Sequence, residues 1–314
     1  MPVNETVLFV LFNLFILLML ILDMRVFHRK ARSVTVKEAV IWSIVWVVLA
    51  LAFNVGIFLT AGQTAGLEFL AGYLIERSLS FDNIFVFLII LSFFGVPPHL
   101  QHRVLFWGIL GALITRSLFI AAGVALILRF EWVLYAFGVM LVYSGGKMML
   151  GKGVEVHPER NFIIRVAKRF LPLTDSYEGG ALAVRKAGKL FFTPLLVVIL
   201  AVETSDVMFA VDSIPAVFGV TRDPFIAYSS NIFAILGLRA TYFLLAGVMD
   251  TFYYLSHGLS LVLIFIGAKM LLGTFVHIPI SLSLAVVGAI LGIAVIASLI
   301  RNRRIKRGPT PPAS

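Results

Sequence analysis

Apolar residues gather into nine stretches of roughly membrane-spanning length, separated by short segments rich in charge, proline and glycine. A helix needs about 20 predominantly apolar residues to cross a hydrocarbon core, and the pattern predicts spans near 7–26, 38–60, 68–95, 104–128, 132–150, 192–219, 226–248, 255–273 and 279–300. Backbone polar groups in lipid must be satisfied within the segment or in a closed barrel. Continuous apolar runs, rather than alternating ones, indicate helices. Pro97, Pro98, Pro158, Pro194, Pro224 and Pro279 fall at or near the expected ends, where proline does least harm.

Basic residues choose an orientation. With the N-terminus outside, the inward loops and the tail hold nineteen Lys and Arg, and the outward loops hold only Arg129 and Arg222. Positive residues stay on the cytoplasmic side, so a nine-span count with a cytoplasmic C-terminus agrees with the charge pattern. Residues 1–6 lack a basic leader and no small-residue cleavage site follows, so the first span is expected to be retained. The expected location is the inner (cytoplasmic) membrane. The chain then divides into two N-terminal spans (1–67), a three-helix unit (68–151), a basic cytoplasmic loop (152–191), a second three-helix unit (192–273), a last span (274–300) and a cytoplasmic tail (301–314). In the loop, Phe162, Val166 and Phe170 oppose Arg165, Lys168 and Arg169, a pattern suited to a short helix on an anionic lipid surface, although a solvated connector has the same composition.

Composition narrows the class. The 314 residues are 60% apolar and 13% charged, with mean hydropathy +1.02, too little polar surface for a soluble domain of this size. No cysteine is present, which excludes disulfides and thiolate chemistry. The net charge of +10 lies mainly in loops beside apolar runs, so it reads as topology and not as a nucleic-acid surface. The motifs His-Glu-x-x-His, Gly-x-Ser-x-Gly and the P-loop lysine are all missing, and no enzyme activity or bound cofactor is expected.

The chain repeats itself. Gly145-Gly-Lys-Met-Met-Leu-Gly151 and Gly267-Ala-Lys-Met-Leu-Leu-Gly273 agree at five of seven positions. Ile109-Leu-Gly111 matches Ile235-Leu-Gly237; Glu76, Asp82 and Asn83 match Asp206, Asp212 and Ser213. The markers keep their order, so spans 3–5 and 6–8 read as one unit used twice. Three spans per unit force opposite insertion, an inverted repeat of the kind that places transporter sites at the midplane.

Glu76, Asp82, Glu203, Asp206 and Asp212 lie within those apolar spans. A carboxylate there costs a few kcal/mol and normally faces a cavity or a partner. Glu203 and Asp206, three apart, share a helical face. Acids six apart sit about 120° apart on an unbroken helix, so a break is expected, and Pro215 would supply one beside Asp212. With Asn83 and Ser213 the candidate ligands are all oxygen, a set suited to Mn²⁺, Mg²⁺ or Ca²⁺. His28, His99, His102, His157, His257 and His277 lie in loops or near span ends and are not expected to bind the cargo. Arg116, Arg239, Lys147 and Lys269 are read as locking helices together or snorkelling.

At these motifs the sequence resembles the TerC family of integral membrane proteins, named for tellurium resistance. The match is carried by Glu76-Arg-Ser-Leu-Ser-Phe-Asp-Asn-Ile-Phe-Val-Phe87, by Val202-Glu-Thr-Ser-Asp-Val-Met-Phe-Ala-Val-Asp-Ser-Ile-Pro-Ala216 and by Ser230-Asn-Ile-Phe-Ala-Ile-Leu-Gly-Leu-Arg-Ala240. The resemblance implies manganese efflux for some members and tellurite resistance for others, with Glu76, Asn83, Asp82, Glu203, Asp206, Asp212 and Ser213 as the metal-facing positions. The expected function is a secondary transporter exporting divalent cations, Mn²⁺ foremost, with protons as the candidate coupling ion. The competing expectation is a membrane scaffold for tellurite or stress resistance, or for protein insertion, without ion transport.

Overall fold

A computed structural model describes residues 5–27, 36–150, 171–186, 188–245, 253–273, 275–276 and 278–307; the side chains of residues 5–6, 22–27, 36, 82 and 303–307 lie outside that description. The expected helix around Phe162 to Phe170 also lies outside the described residues. Within them the chain is an all-α membrane protein of ten helices: α1 (Glu5–Phe27), α2 (Val36–Ala61), α3 (Gln63–Phe93), α4 (Pro98–Arg129), α5 (Val133–Met149), α6 (Pro194–Phe218), α7 (Pro224–Leu236), α8 (Leu238–Leu245), α9 (Leu255–Leu272) and α10 (Ile280–Arg307). Five of these (α2, α4, α6, α9 and α10) are long and apolar enough to cross a membrane by length and composition, and Val7–Ile21 of α1 and the whole of α5 are shorter apolar helices. The seventh expected span is two helices, α7 and α8, separated at Gly237.

The ends are set by local chemistry. Gly62 alone separates α2 from α3 and has φ 93°, which a residue without Cβ adopts at no steric cost. After α3, Gly95 takes φ 58°. Its N–H bonds to Ser92 O and the Val96 N–H to Leu91 O, a Schellman stop that satisfies two orphan carbonyls. Asp223 caps α7 by accepting from Phe225 N at 2.8 Å and Ile226 N at 3.1 Å, with Pro224 at the first helical position.

Packing follows a paired arrangement. α3 lies against α6 and α7, α4 against α6 and α7, and α5 against α9 and α6; α2 packs on α3 and α8, and α10 on α3 and α9. Lipid tails are as apolar as leucine, so close contact rather than water exclusion drives such pairing. In α5 and α9 glycine supplies it. A Cβ at Gly145 would lie 2.7 Å from Ser260 O, and one at Gly267 would lie 2.7 Å from Gly138 O. The outer faces of α1 and α10 expose Leu11, Leu14, Ile293 and Ile296, as lipid contact requires.

A small antiparallel hairpin, β1 (Ala183–Lys186) with β2 (Lys189–Phe192), adds the only strands among the described residues, and sequence patterning misses it. It docks where α3 ends and α4 begins. Tyr177 Oη donates to Phe94 O at 2.8 Å, Arg103 donates to Gly180 O, and Thr193 Oγ1 donates to Ala181 O at 2.7 Å.

Candidate functional site

α3, α4, α6 and α7 each send a polar side chain to one point inside the bundle. Glu76, Arg116 and Asp206 stand between twelve and eighteen residues from either end of their helices, about 18–27 Å at 1.5 Å per residue, so all three lie near mid-depth. Arg116 is fully buried and is the hub. Its Nη1 donates to Glu76 Oε1 and to Ser213 Oγ at 3.1 Å; its Nη2 donates to Asp206 Oδ1 at 3.1 Å and its Nε to Asp206 Oδ2 at 3.3 Å. The Asp206 contact is the two-pronged fork that guanidinium and carboxylate geometry favours. With its amide oriented to satisfy both ends, Asn83 accepts from Arg116 Nη2 at 3.2 Å and donates to Leu79 O at 3.2 Å. Asn231 Nδ2 donates to Glu76 Oε2 at 3.0 Å, and Asn231 Oδ1 has no partner among the described residues.

The register explains which residues meet. Glu76 and Asn83, like Asp206 and Ser213, are seven apart, nearly two full turns, and so lie on one face. The six-residue offset puts Asp212 about 120° away from Asp206, and there it accepts a 2.7 Å hydrogen bond from Ser144 Oγ of α5. The expected break at Pro215 does not occur. α6 runs unbroken to Phe218 with Pro215 inside it, three residues from its end, and the following N–H groups still close the last turn through Gly219 N to Pro215 O and Thr221 N to Val217 O. Asp206 and Asp212 therefore serve different neighbours.

Glu203 is half-buried one turn before Asp206, its carboxylate lying where a Cβ on Gly111 would be. Opposite in sign, Arg77 lies over Gly237, where a Cβ would stand 2.5 Å from its Nη1; the guanidinium donates to Ala234 O at 3.1 Å and to Thr241 Oγ1. That bond occupies the carbonyl that Leu238 N would take if α7 and α8 were continuous. The Asp82 side chain lies outside the described residues, and so do His28, His157 and His277. His99, His102 and His257 are not among the residues of this centre. Lys269 lines a cavity of about 580 Å³ with Glu68, Thr221 and Arg222.

Arg116, assigned a structural role from sequence, thus lies at the focus of the carboxylates. Nothing in the spacing of the sequence marks Asn231 as part of it. The seven-residue spacing and the single arginine on span four were the available signals. Among the described residues no three Asp, Glu or His side chains converge in a way that would hold a metal, and two of the carboxylates, Glu76 and Asp206, are paired with the guanidinium. The centre nevertheless supplies oxygens from Glu76, Asn83, Asp206, Ser213 and Asn231, the hard donor set a divalent cation prefers.

Comparison with known proteins gives one family match. A model described as "Integral membrane protein TerC family" covers residues 61–306. Among curated relatives, an "Uncharacterized membrane protein STKORF319" of Myxococcus xanthus is 50% identical over 93% of this chain and 92% of its own length. A "Putative membrane-bound redox modulator Alx" of Salmonella typhi is 48% identical over 94% of this chain and 95% of its own. An "Uncharacterized membrane protein" of Rickettsia felis is 39% identical over 94% and 98%. No solved structure matches the chain.

Proposed function

The chain belongs to the TerC family of integral membrane proteins, and from that premise we propose that it is a secondary transporter exporting divalent metal cations, Mn²⁺ foremost, from the cytoplasm. One observation carries the reading: two buried carboxylates, Glu76 of α3 and Asp206 of α6, meet at mid-depth within a shell of neutral oxygens. Residues aligned by the internal repeat are the ones that meet, which supports two inverted units with the site at their interface. Asp82 and Asp212 stand six residues on, about 9 Å along their helices. With the N-terminus outside the inner membrane, Asp82 falls on the cytoplasmic side of the centre and Asp212 on the outer side.

Moving two positive charges outward against an inside-negative potential costs about 4.6 kcal/mol per 100 mV, so export needs a driving ion, and inward protons are the natural choice. One relative is named a putative redox modulator; this chain has no cysteine and so offers no thiol for direct redox exchange.

Arg116 favours a second reading, because a guanidinium already partnering both carboxylates also suits a helix-locking scaffold. Flux separates the two. Purified protein in proteoliposomes is expected to carry Mn²⁺ above Mg²⁺ and Ca²⁺, faster with an opposing pH gradient, and Asp206→Asn is expected to abolish that flux. Metal-independent traces, with the protein folded in the bilayer, would leave the scaffold.

A further inference from the structure

We infer that Arg116 is a tethered stand-in for the transported cation, holding the centre closed when no metal is bound and yielding it when metal arrives. The inference rests on the transport reading above and deepens it. Four of the five oxygen-bearing side chains that would ligate the metal are hydrogen-bonded to this one guanidinium: Glu76, Asp206, Ser213 and Asn83. The fifth, Asn231, holds Glu76 through its amide nitrogen while its own fully buried oxygen has no partner among the described residues. An acceptor left over beside a carboxylate is the arrangement that a bound cation completes and a donor-only guanidinium, already committed to four partners, does not.

Charge makes the two occupancies exclusive. Counted with both carboxylates ionised, the centre holds −1 with Arg116 in place; a divalent ion added beside it would bring the same point to +1, with two cations repelling in a low-dielectric interior. If the guanidinium withdraws, two carboxylates neutralise the ion. Glu203 offers the withdrawn side chain a partner. It lies on the same face of α6, one turn or about 4.5 Å along the axis from Asp206, beside Gly111 of the helix that bears Arg116. The unloaded carrier then never presents two bare carboxylates to the membrane interior, which would cost several kcal/mol per ion.

The test compares two transport modes of the full chain in proteoliposomes. Net Mn²⁺ efflux requires the unloaded carrier to return; Mn²⁺/Mn²⁺ exchange does not. Removing a competitor raises the fraction of carriers able to bind, so Arg116→Gln is expected to lower the half-saturating Mn²⁺ concentration about tenfold. In the same variant net efflux drops about tenfold while exchange stays within about threefold of wild type, because only the unloaded step exposes the uncompensated acids. Arg116→Lys, a point charge without the fork, is expected to lower half-saturation about two- to fivefold with net efflux retained, and it decides the matter if the glutamine variant does not fold. Glu203→Gln, which removes the alternative partner, is expected to raise half-saturation. A folded Arg116→Gln protein whose two modes fall together, or any rise in its half-saturation, overturns the stand-in role alone, and so does an Arg116→Lys protein with unchanged half-saturation. Wild-type protein without metal-dependent flux overturns the transport reading and this inference with it.

Discussion

The helices from α3 to α5 and those from α6 to α9 repeat the same markers and use them differently. Each half contributes an acid to the centre and, seven residues later, a neutral oxygen on the same face: Glu76 with Asn83, Asp206 with Ser213. The guanidinium comes only from the first half, through Arg116 of α4; the second half answers from α7 with Asn231. The paired glycines diverge further. Gly111 sits under the carboxylate of Glu203 on an unbroken α4, and Gly237 sits under the guanidinium of Arg77 at the break between α7 and α8. Repetition preserved the places where a side chain can approach a backbone closely. It did not preserve the sign of the charge that approaches, and in the second half the cation replaces a helical hydrogen bond and splits the helix.

The largest effects should come from the centre, and they should be unequal between halves. Asp206→Asn loses the two-pronged fork, whereas Glu76→Gln keeps an oxygen for Asn231 and loses one bond to Arg116. Each leaves the guanidinium one carboxylate partner and the centre neutral, so the loss is that of charge-assisted hydrogen bonds and should be about 1.5–3 kcal/mol of stability, Asp206→Asn the more, read as thermal midpoints of the purified protein. The glycines come next. Gly237→Ala displaces Arg77 from Ala234 O and should cost about 1–3 kcal/mol, because a carbonyl at the helix break loses its donor. Gly111→Ala displaces only the tip of a half-buried glutamate and should cost less; equal losses would show the two glycines to be equivalent after all. Smaller still, Ser144→Ala removes one hydrogen bond to Asp212 and should cost about 0.5–1.5 kcal/mol, with flux slowed but the Mn²⁺ half-saturation unchanged if Asp212 lies on the exit side of the centre.

The smallest effect lies outside both halves. Lys186 at the end of β1 donates to Glu178, in the segment before the hairpin, at 2.7 Å and holds its carboxyl below the usual carboxylate range. A depressed carboxyl contributes at pH values above its unfolded range and loses that contribution as pH falls through the lowered value. Lys186 is exposed and Glu178 partly so, so Glu178→Gln should leave flux unchanged and lower the thermal midpoint at neutral pH only slightly. The pair resembles the Arg116 pairs in chemistry and differs from them in surroundings, and it serves as the control for them.

Helices, their order and most of their ends were legible because length and apolar continuity are local properties: α9 lies at Leu255–Leu272 where 255–273 was expected, and α6 at Pro194–Phe218 where 192–219 was expected. The hairpin was not, since four-residue strands leave no periodicity. The candidate site was half legible. A carboxylate in an apolar run announces itself, but the partner of that carboxylate does not, and reading the six-residue spacing of Asp206 and Asp212 suggested a broken helix when the seven-residue spacing of Asp206 and Ser213 was the one that mattered.

What the sequence alone determined is therefore the set of charges that must be compensated inside the membrane, and the helices that bear them. Which charge compensates which was decided only by tertiary packing. The guanidinium on α4 reaches Glu76 of α3 and Asp206 of α6 together while Asp212 turns to Ser144, and that allocation depends on helix rotation and on close approaches such as those at Gly111 and Gly237.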